Sequence, residues 1–497
     1  MHRSGSFMTL AGAVTALAAM AACSPDAPNP VAPSPSASVA AAPSASGRYI
    51  LVSNSSFPAD LAAQVSKLGG SVERVHNGAG IAVVTGISDA SASKLSGIKG
   101  VNDVEADMIV SLAAPVAAAE ADASSTQDVT NSASNPTLAS RYNWQWNMRL
   151  IGADKAWAAG KLGSSSVTVA ILDTGIDYDA PDLLGLVDLS RSTSFIPSDD
   201  SITAHFFAGR NVISDYHGHG TNVATQVSSK ARALAGVTSK TTLIGVKVLS
   251  GQGSGPFSAI MNGVLWAADH GANVANMSLG GSFAKAGNGR FVGITNKVFN
   301  YAARKGMLVV VAAGNDGADL DHNGNTQVDY CSAPQVICVS SVGPATAADF
   351  LSIGGTPTVG ASAPAFYTNY GRSAISVAAP GGNATPDLAV SAWPWGNDIA
   401  SWVWSYCSKT RLVFDANGTP VALTSCINGN RLTGYIGTSQ ATPHVAGLAA
   451  LIEAEKGISS PAQVKAAIEH SAVDLGQSGT DPYYGKGRIS VSNALGL

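Results

Sequence analysis

Apolar positions along the chain follow two successive rhythms. Between residues 48 and 111, Tyr49-Ile50-Leu51-Val52 is a continuous apolar run, and Leu61, Val65 and Leu68 then recur at helical spacing, which predicts a strand followed by a helix. Ser71-Val72-Glu73-Arg74-Val75 alternates, and with Gly80-Ile81-Ala82-Val83-Val84 it reads as a hairpin. A helix around 94–98 and a strand at 101–104 complete a βαββαβ order, the pattern of a small ferredoxin-like α+β domain. From Tyr142 onward short apolar runs at 167–172, 242–248, 274–277, 307–312, 336–339 and 374–378 alternate with helical stretches. One of these, 258–270, carries Ile260, Val264 and Ala267 on a single stripe. Apolar strands alternating with helices predict an α/β domain whose parallel sheet is covered by helices on both faces.

The segments outside these rhythms divide the chain. His2 and Arg3 precede a largely apolar stretch from Phe7 to Ala22, which reads as an export signal because it is too short to span a membrane. The ending Met20-Ala21-Ala22-Cys23 resembles a bacterial lipobox and implies acylation of Cys23, with ordinary signal-peptidase cleavage as the alternative. Residues 24–47 are Pro, Ala and Ser with almost no charge, too little apolar surface to order, and read as a tether. The expected organisation is therefore a signal at 1–23, a linker at 24–47, a small domain at 48–111, a second linker at 112–140 and an α/β domain at 141–497.

Composition narrows this little. The 497 residues are 45% hydrophobic, enough for a large core. Charged residues are 12% and the net charge is -4, so nothing suggests a nucleic-acid partner. Of five cysteines, Cys23 stands alone, whereas Cys331 with Cys338 and Cys407 with Cys426 form short-range pairs suited to an oxidising compartment. Spacing alone also allows four buried thiols.

Four strings carry candidate chemistry. Val169-Ala170-Ile171-Leu172 runs into Asp173-Thr174-Gly175, placing a carboxylate at a strand's C-terminal end, where open α/β sheets put their sites. His217-Gly218-His219-Gly220-Thr221-Asn222-Val223-Ala224 opens a helix; histidines two apart do not share a helix face, which disfavours a metal pair. Gly437-Thr438-Ser439-Gln440-Ala441-Thr442-Pro443-His444-Val445-Ala446-Gly447 sets a serine at a helix start, where unpaired N–H groups favour developing negative charge. Val309-Val310-Val311-Ala312-Ala313-Gly314-Asn315 ends a buried strand in Gly-Asn.

These strings resemble the subtilisin-like serine proteases. The Ser439 string is similar to that family's Gly-Thr-Ser-Met-Ala-Ser-Pro-His-Val-Ala-Gly, with Gln440 for Met and Thr442 for Ser, and the His219 string to His-Gly-Thr-His-Val-Ala. The order Asp, His, Ser is also the family's. The resemblance implies an exported endopeptidase with Ser439 as nucleophile, His219 rather than His217 as base, Asp173 as its partner and Asn315 in the oxyanion hole. It implies that Ser278-Leu279-Gly280 and Ser254-Gly255 bind an extended protein or peptide substrate from either side.

The run Val104-Glu105-Ala106-Asp107-Met108-Ile109-Val110 resembles the end of the family's inhibitory propeptides, so the small domain is expected to act as an intramolecular chaperone and inhibitor. No cofactor is needed for the chemistry. Structural calcium is expected at Asp319, Asp321, Asn323 and Asn325, which alternate as calcium-loop ligands, although Tyr330 stands where such a loop needs Glu; a polar turn is the alternative. Asp182 matches another family calcium ligand, but the loop near 230–233 that would complete the site is short. The long insert before Gly437 holds Trp393, Trp395, Trp402 and Trp404, and a hairpin from 411–414 to 421–423.

Overall fold

Residues 49–51 and 81–84 of the N-terminal domain are apolar throughout because both faces of these strands are buried. In the computed structural model, which describes residues 44–112, 117–122, 132–280, 282–284, 289–328, 330–344, 359–383, 402–429 and 431–497, this domain comprises β1 (Ser44–Val52), α1 (Leu61–Lys67), β2 (Ser71–His76), β3 (Ile81–Thr85), α2 (Asp89–Leu95) and β4 (Asp103–Ser111). All neighbouring strands are antiparallel in the order β2-β3-β1-β4, the ferredoxin-like arrangement. Tyr49 and Leu51 of β1 pack on the domain's own helices with Leu61, Val65 and Leu95. Ile50 and Ile81 point the other way and join a core with Phe257, Ile260, Phe291 and Ile294 of the C-terminal domain.

Two expectations shift. α2 begins five residues before the expected 94–98, with Ser88 in an extended N-cap conformation and Asp89 in the first turn. The final strand runs to Ser111 instead of stopping at 104, because its second half pairs with another domain. The signal region and Cys23 lie outside the described residues, as do Trp393 and Trp395. After β4, a short strand β5 (Ala117–Asp122) precedes the C-terminal domain.

That domain is built on a mainly parallel sheet. Its strands include β6 (Thr168–Asp173), β7 (Thr193–Ser194), β8 (Thr242–Lys247), β9 (Ser254–Pro256), which stands outside the sheet, β10 (Val274–Met277), β11 (Leu308–Ala312), β12 (Ile337–Gly343) and β13 (Val377–Pro380). β6 is central: β8 lies on one side and β10, then β11 and β12, on the other. Alternation sorts the side chains into two cores, with Val169, Ile171, Leu308 and Val310 on one face and Ala170, Leu172, Val309 and Val311 on the other. The first face is covered by α3 (His219–Val227) and α6 (Thr438–Lys456), the second by α4 (Phe257–Asp269) and α5 (Gly289–Arg304). Because the chain leaves β6 for β8 and returns to place β10 on the other side, a crevice opens at the strands' C-terminal ends.

The insert before α6 forms β14 (Val403–Tyr406), a hairpin of β15 (Leu412–Phe414) and β16 (Pro420–Leu423), and β17 (Arg431–Ile436). Cys407 and Cys426 are bonded, as are Cys331 and Cys338, with Cα separations of 5.5 and 5.1 Å. β17 pairs with β14 on one edge and β5 on the other. Among the described residues no helix is long and apolar enough to cross a membrane.

Candidate active site

Asp173 ends β6 inside the crevice, wholly buried, and both of its oxygens reach His219 Nδ1, at 2.8 and 3.0 Å. The Thr174 backbone N–H donates to the same carboxylate at 2.7 Å. His219 is the first residue of α3. Gly218 ahead of it has φ +99°, a left-handed conformation that favours glycine, and any side chain at Gly220 would collide with the Gly175 carbonyl. Buried Asp215 fixes this turn by accepting the N–H groups of His217, Gly218 and Thr221 at 2.8–3.0 Å. Burial pushes the Asp215 carboxyl upward, but nearby Lys247 and these donors together hold it below the ordinary carboxylate value. Sequence reading missed Asp215, although an acidic residue two places before a Gly-spaced His pair is a visible signal.

The two histidines differ in state. Burial works against a charge on His219, yet the Asp173 carboxylate outweighs it and raises the imidazole above its ordinary value of 6.5. His217 has no carboxylate on its ring; burial, then the proximity of His219, lowers it to about 4, and its Nδ1 lacks a hydrogen-bond partner. The neutral ring beside the Asp-paired one supports the choice of His219.

Ser439 is the second residue of α6, with 8% of its surface exposed. Pro443 has no N–H to return to the carbonyl four residues back, so the Ser439 carbonyl is free within the helix. Ser278 Oγ takes it at 2.7 Å, while Ser439 Oγ donates to the Ser278 carbonyl at 3.1 Å. Ser278, expected on the substrate wall, is fully buried, and its hydroxyl anchors the backbone at Ser439. No hydrogen bond joins Ser439 to His219 here, so a rotation about the serine's Cα–Cβ bond must precede proton transfer. Asn315 Oδ1 accepts the Thr438 N–H and hydroxyl at 2.9 and 2.8 Å, which leaves its amide N–H groups without a partner among the described residues, beside Gly437 and Ser439.

The groove expectations divide. β4 lies antiparallel on β9, with Val110 opposite Gly255 and Ser111 opposite Ser254, and the Leu112 N–H continues the ladder to the Gly253 carbonyl at 2.8 Å. The edge at Ser254 and Gly255 thus carries the chain's own strand β4. Leu279 is buried and Gly280 half-buried, and among the described residues neither forms a ladder with β4. Asp107 of the same strand accepts the Ser258 N–H at 3.1 Å and its hydroxyl, capping α4, whose own N-cap Pro256 supplies no side-chain acceptor. A cavity of about 520 Å³ beside Ile109 is bounded by Ile196, Gly255 and Phe414.

The two expected calcium carboxylates have protein donors. Asp319 accepts the backbone N–H of Asp321 and His322 and the His322 ring, at 2.9–3.2 Å, and Asp321 accepts the N–H and hydroxyl of Ser373. Both carboxylates are thus occupied by protein donors, and Asn323 and Asn325 follow in the same turn. No group of three or more His, Cys, Asp or Glu side chains able to hold a metal occurs among the described residues. Asp182 accepts the N–H groups of Arg232, Ala233 and Leu234 at 2.7–3.1 Å. Burial pushes its carboxyl up to about 7 against these donors.

Two departures from the subtilisin pattern are explained together. Gln440 donates to Asn222 at 3.2 Å, and Asn222 in turn donates to the Val403 carbonyl and Ser405 hydroxyl at 3.0 and 3.1 Å, so the residues standing for Met and His dock β14 onto α3. The insert is further held by Ser408 and Thr410, which donate to the Asp215 carbonyl at 2.6 and 2.9 Å.

Residues 164–487 match the profile of the Subtilase family, peptidase S8. The chain is 30% identical to thermitase of Thermoactinomyces vulgaris over 73% of this chain and 98% of that one. It is 32% identical to subtilisin of Bacillus pumilus over 66% of this chain and 91% of that one. Its fold is similar to that of the epidermin leader peptide processing serine protease of Staphylococcus aureus, with a TM-score of 0.69 and 21% identity over 90% of this chain and 98% of that one. Fold, motif order and these relatives agree: the chain belongs to the subtilase family and is a serine endopeptidase.

Proposed function

We propose that the protein is an exported, self-processing subtilase whose catalytic groups are Asp173, His219, Ser439 and Asn315. The observation that carries this reading is the pairing of Asp173 with His219 of α3, a helix packed against α6, with Ser439 at the start of α6 and Asn315 bonded through its oxygen to the neighbouring Thr438, its amide N–H groups partner-free among the described residues. Ser439 attacks the scissile carbonyl while His219 Nε2 takes its proton; Asp173 fixes the tautomer with the proton on Nδ1 and stabilises the imidazolium. The Ser439 backbone N–H and the Asn315 amide receive the oxyanion. His219 then protonates the leaving amine, and water hydrolyses the acyl-enzyme. No metal takes part in these steps.

Activity should rise with pH. His219 is a base only when neutral, and its pKa is held above 6.5, so the acidic limb of kcat/KM should have its midpoint above 6.5. Replacing Asp173 by Asn removes the anion that stabilises the imidazolium. The limb should then move to lower pH while the rate falls; an unmoved limb would show that His219 is not the titrating base.

The pairing of β4 with β9 supports an inhibitory role for residues 48–111, with substrate-like occupation of one half of the cleft. β5 lies beyond the nucleophile on β17, so self-cleavage is expected between Leu112 and Ala117. N-terminal sequencing of the processed form checks this, and a start before 113 or after 117 would exclude it. A lipid on Cys23 would leave with the propeptide, so cleavage would also release the enzyme from the cell envelope. Recovery of the processed domain still joined to Cys23 would refute that coupling.

A further inference from the structure

We propose that Arg411 and Arg431 form a subsite selecting an acidic side chain on the C-terminal side of the scissile bond, an inference that rests on the protease reading above. β5 lies antiparallel on β17 in unbroken register, from Ala117 opposite Ile436 to Asp122 opposite Arg431. β17 leads through Gly437 and Thr438 into Ser439, so β5 runs away from the nucleophile as a substrate chain does beyond the cleaved bond. β4 and β5 thus occupy the two halves of the cleft as one bound polypeptide would, and the chain's own segment reports what the second half recognises.

It recognises a carboxylate. Glu120, opposite Thr433, meets Arg431 Nη2 and Nε at 3.0 and 3.1 Å through one oxygen and Arg411 Nη1 at 3.4 Å through the other, and the Ser425 hydroxyl donates to it at 3.4 Å. The two arginines flank the Cys407–Cys426 bond in sequence, Arg411 after Cys407 and Arg431 after Cys426, so the disulfide and the β14–β17 pairing fix their spacing. Neither has another acidic partner among the described residues. Arg411, Glu120 and Arg431 keep 27%, 35% and 37% of their side-chain surface exposed, so the carboxylate is exchangeable. When β5 lifts off β17, two guanidinium groups remain along an open strand edge close to Gly218 and Tyr435. A substrate strand bearing Asp or Glu opposite Thr433 restores the ion pairs and main-chain ladder together; a Lys there meets two like charges.

The test uses enzyme processed from the full chain and internally quenched peptides spanning residues 108–124, with Glu, Gln or Lys at position 120. At low salt the Glu peptide should exceed the Gln peptide in kcat/KM by roughly three- to tenfold, the size expected for a half-exposed carboxylate held by two arginines, with the Lys peptide slower still. High salt should shrink the difference. In the Arg411→Glu/Arg431→Glu double variant the order of the Glu and Lys peptides should reverse. Each comparison is a ratio within one enzyme preparation, so a smaller active fraction cancels. Equal cleavage of the Glu and Lys peptides by the unaltered enzyme, or a Glu preference that survives in the double variant, would overturn the subsite. Peptides left intact by an enzyme that also fails to react with a fluorophosphonate would instead overturn the protease reading.

Discussion

Ser439→Ala should leave a folded precursor that neither cuts peptides nor matures. Hydrolysis is expected to fall about 10⁵- to 10⁶-fold, the order known for the nucleophile in subtilisin, with a small residual rate from binding and the oxyanion hole. The substitution removes only the hydroxyl donated to the Ser278 carbonyl, a hydrogen bond of about 1 kcal/mol, while Ser278 Oγ still holds the backbone of residue 439. The fold should therefore survive and the loss be chemical. Two readouts separate these effects: labelling by a fluorophosphonate should disappear, and gel mobility should show the chain at precursor length. A variant that still processes itself and takes up the label would remove Ser439 from the mechanism and leave the conclusion without its nucleophile.

Asn315→Ala should lower kcat about 100- to 1000-fold with KM nearly unchanged, the loss known for the equivalent donor in subtilisin. The residue has two separable duties. Its oxygen accepts Thr438 and so shapes the start of α6, whereas its amide N–H groups are free for the oxyanion. Asn315→Asp keeps the acceptor but replaces the donor with a negative charge, so it should lose kcat at least as severely while preserving the Thr438 contact. Steady-state kinetics normalised by active-site titration decide the matter. A kcat within threefold of the original in the Asp variant would assign Asn315 to helix capping alone.

Asn222 and Gln440 place polar groups where burial demands partners. Both side chains are fully buried and polar: Gln440 donates to the Asn222 side-chain oxygen, and the Asn222 amide is satisfied by the Val403 carbonyl and Ser405 hydroxyl that β14 supplies. The insert is therefore part of the histidine helix's hydrogen bonding, not an appendage. It also carries Arg411 and Arg431, so the same polypeptide steadies the base and lines the half of the cleft beyond the scissile bond.

Much of this protein is determined by contiguous residues. Apolar periodicity marks the strands within a few positions, because alternation along one segment is enough to show which faces are buried; the two cores divide Val169 from Ala170 accordingly. The Ser439 string places the nucleophile, since the helix start, Pro443 and the serine act over a single turn. The His219 string is local in the same way, whereas Asp173 is legible only because the other strings accompany it.

What only the tertiary structure decided are pairings between distant segments. That β4 adds to β9, that Ser278 holds Ser439 and that Glu120 meets Arg411 across 291 positions depend on how segments register in space, which no local pattern encodes. The surroundings of the expected calcium ligands depend on the same pairings. Asp319 and Asp321 have the spacing of ligands, but their oxygens had already found N–H and hydroxyl donors in the turn and at Ser373, and Asp182 had found three in the loop at 232–234. Spacing fixes which carboxylates can meet. The folded chain decides what they meet, because a carboxylate takes whichever donors the fold brings within reach.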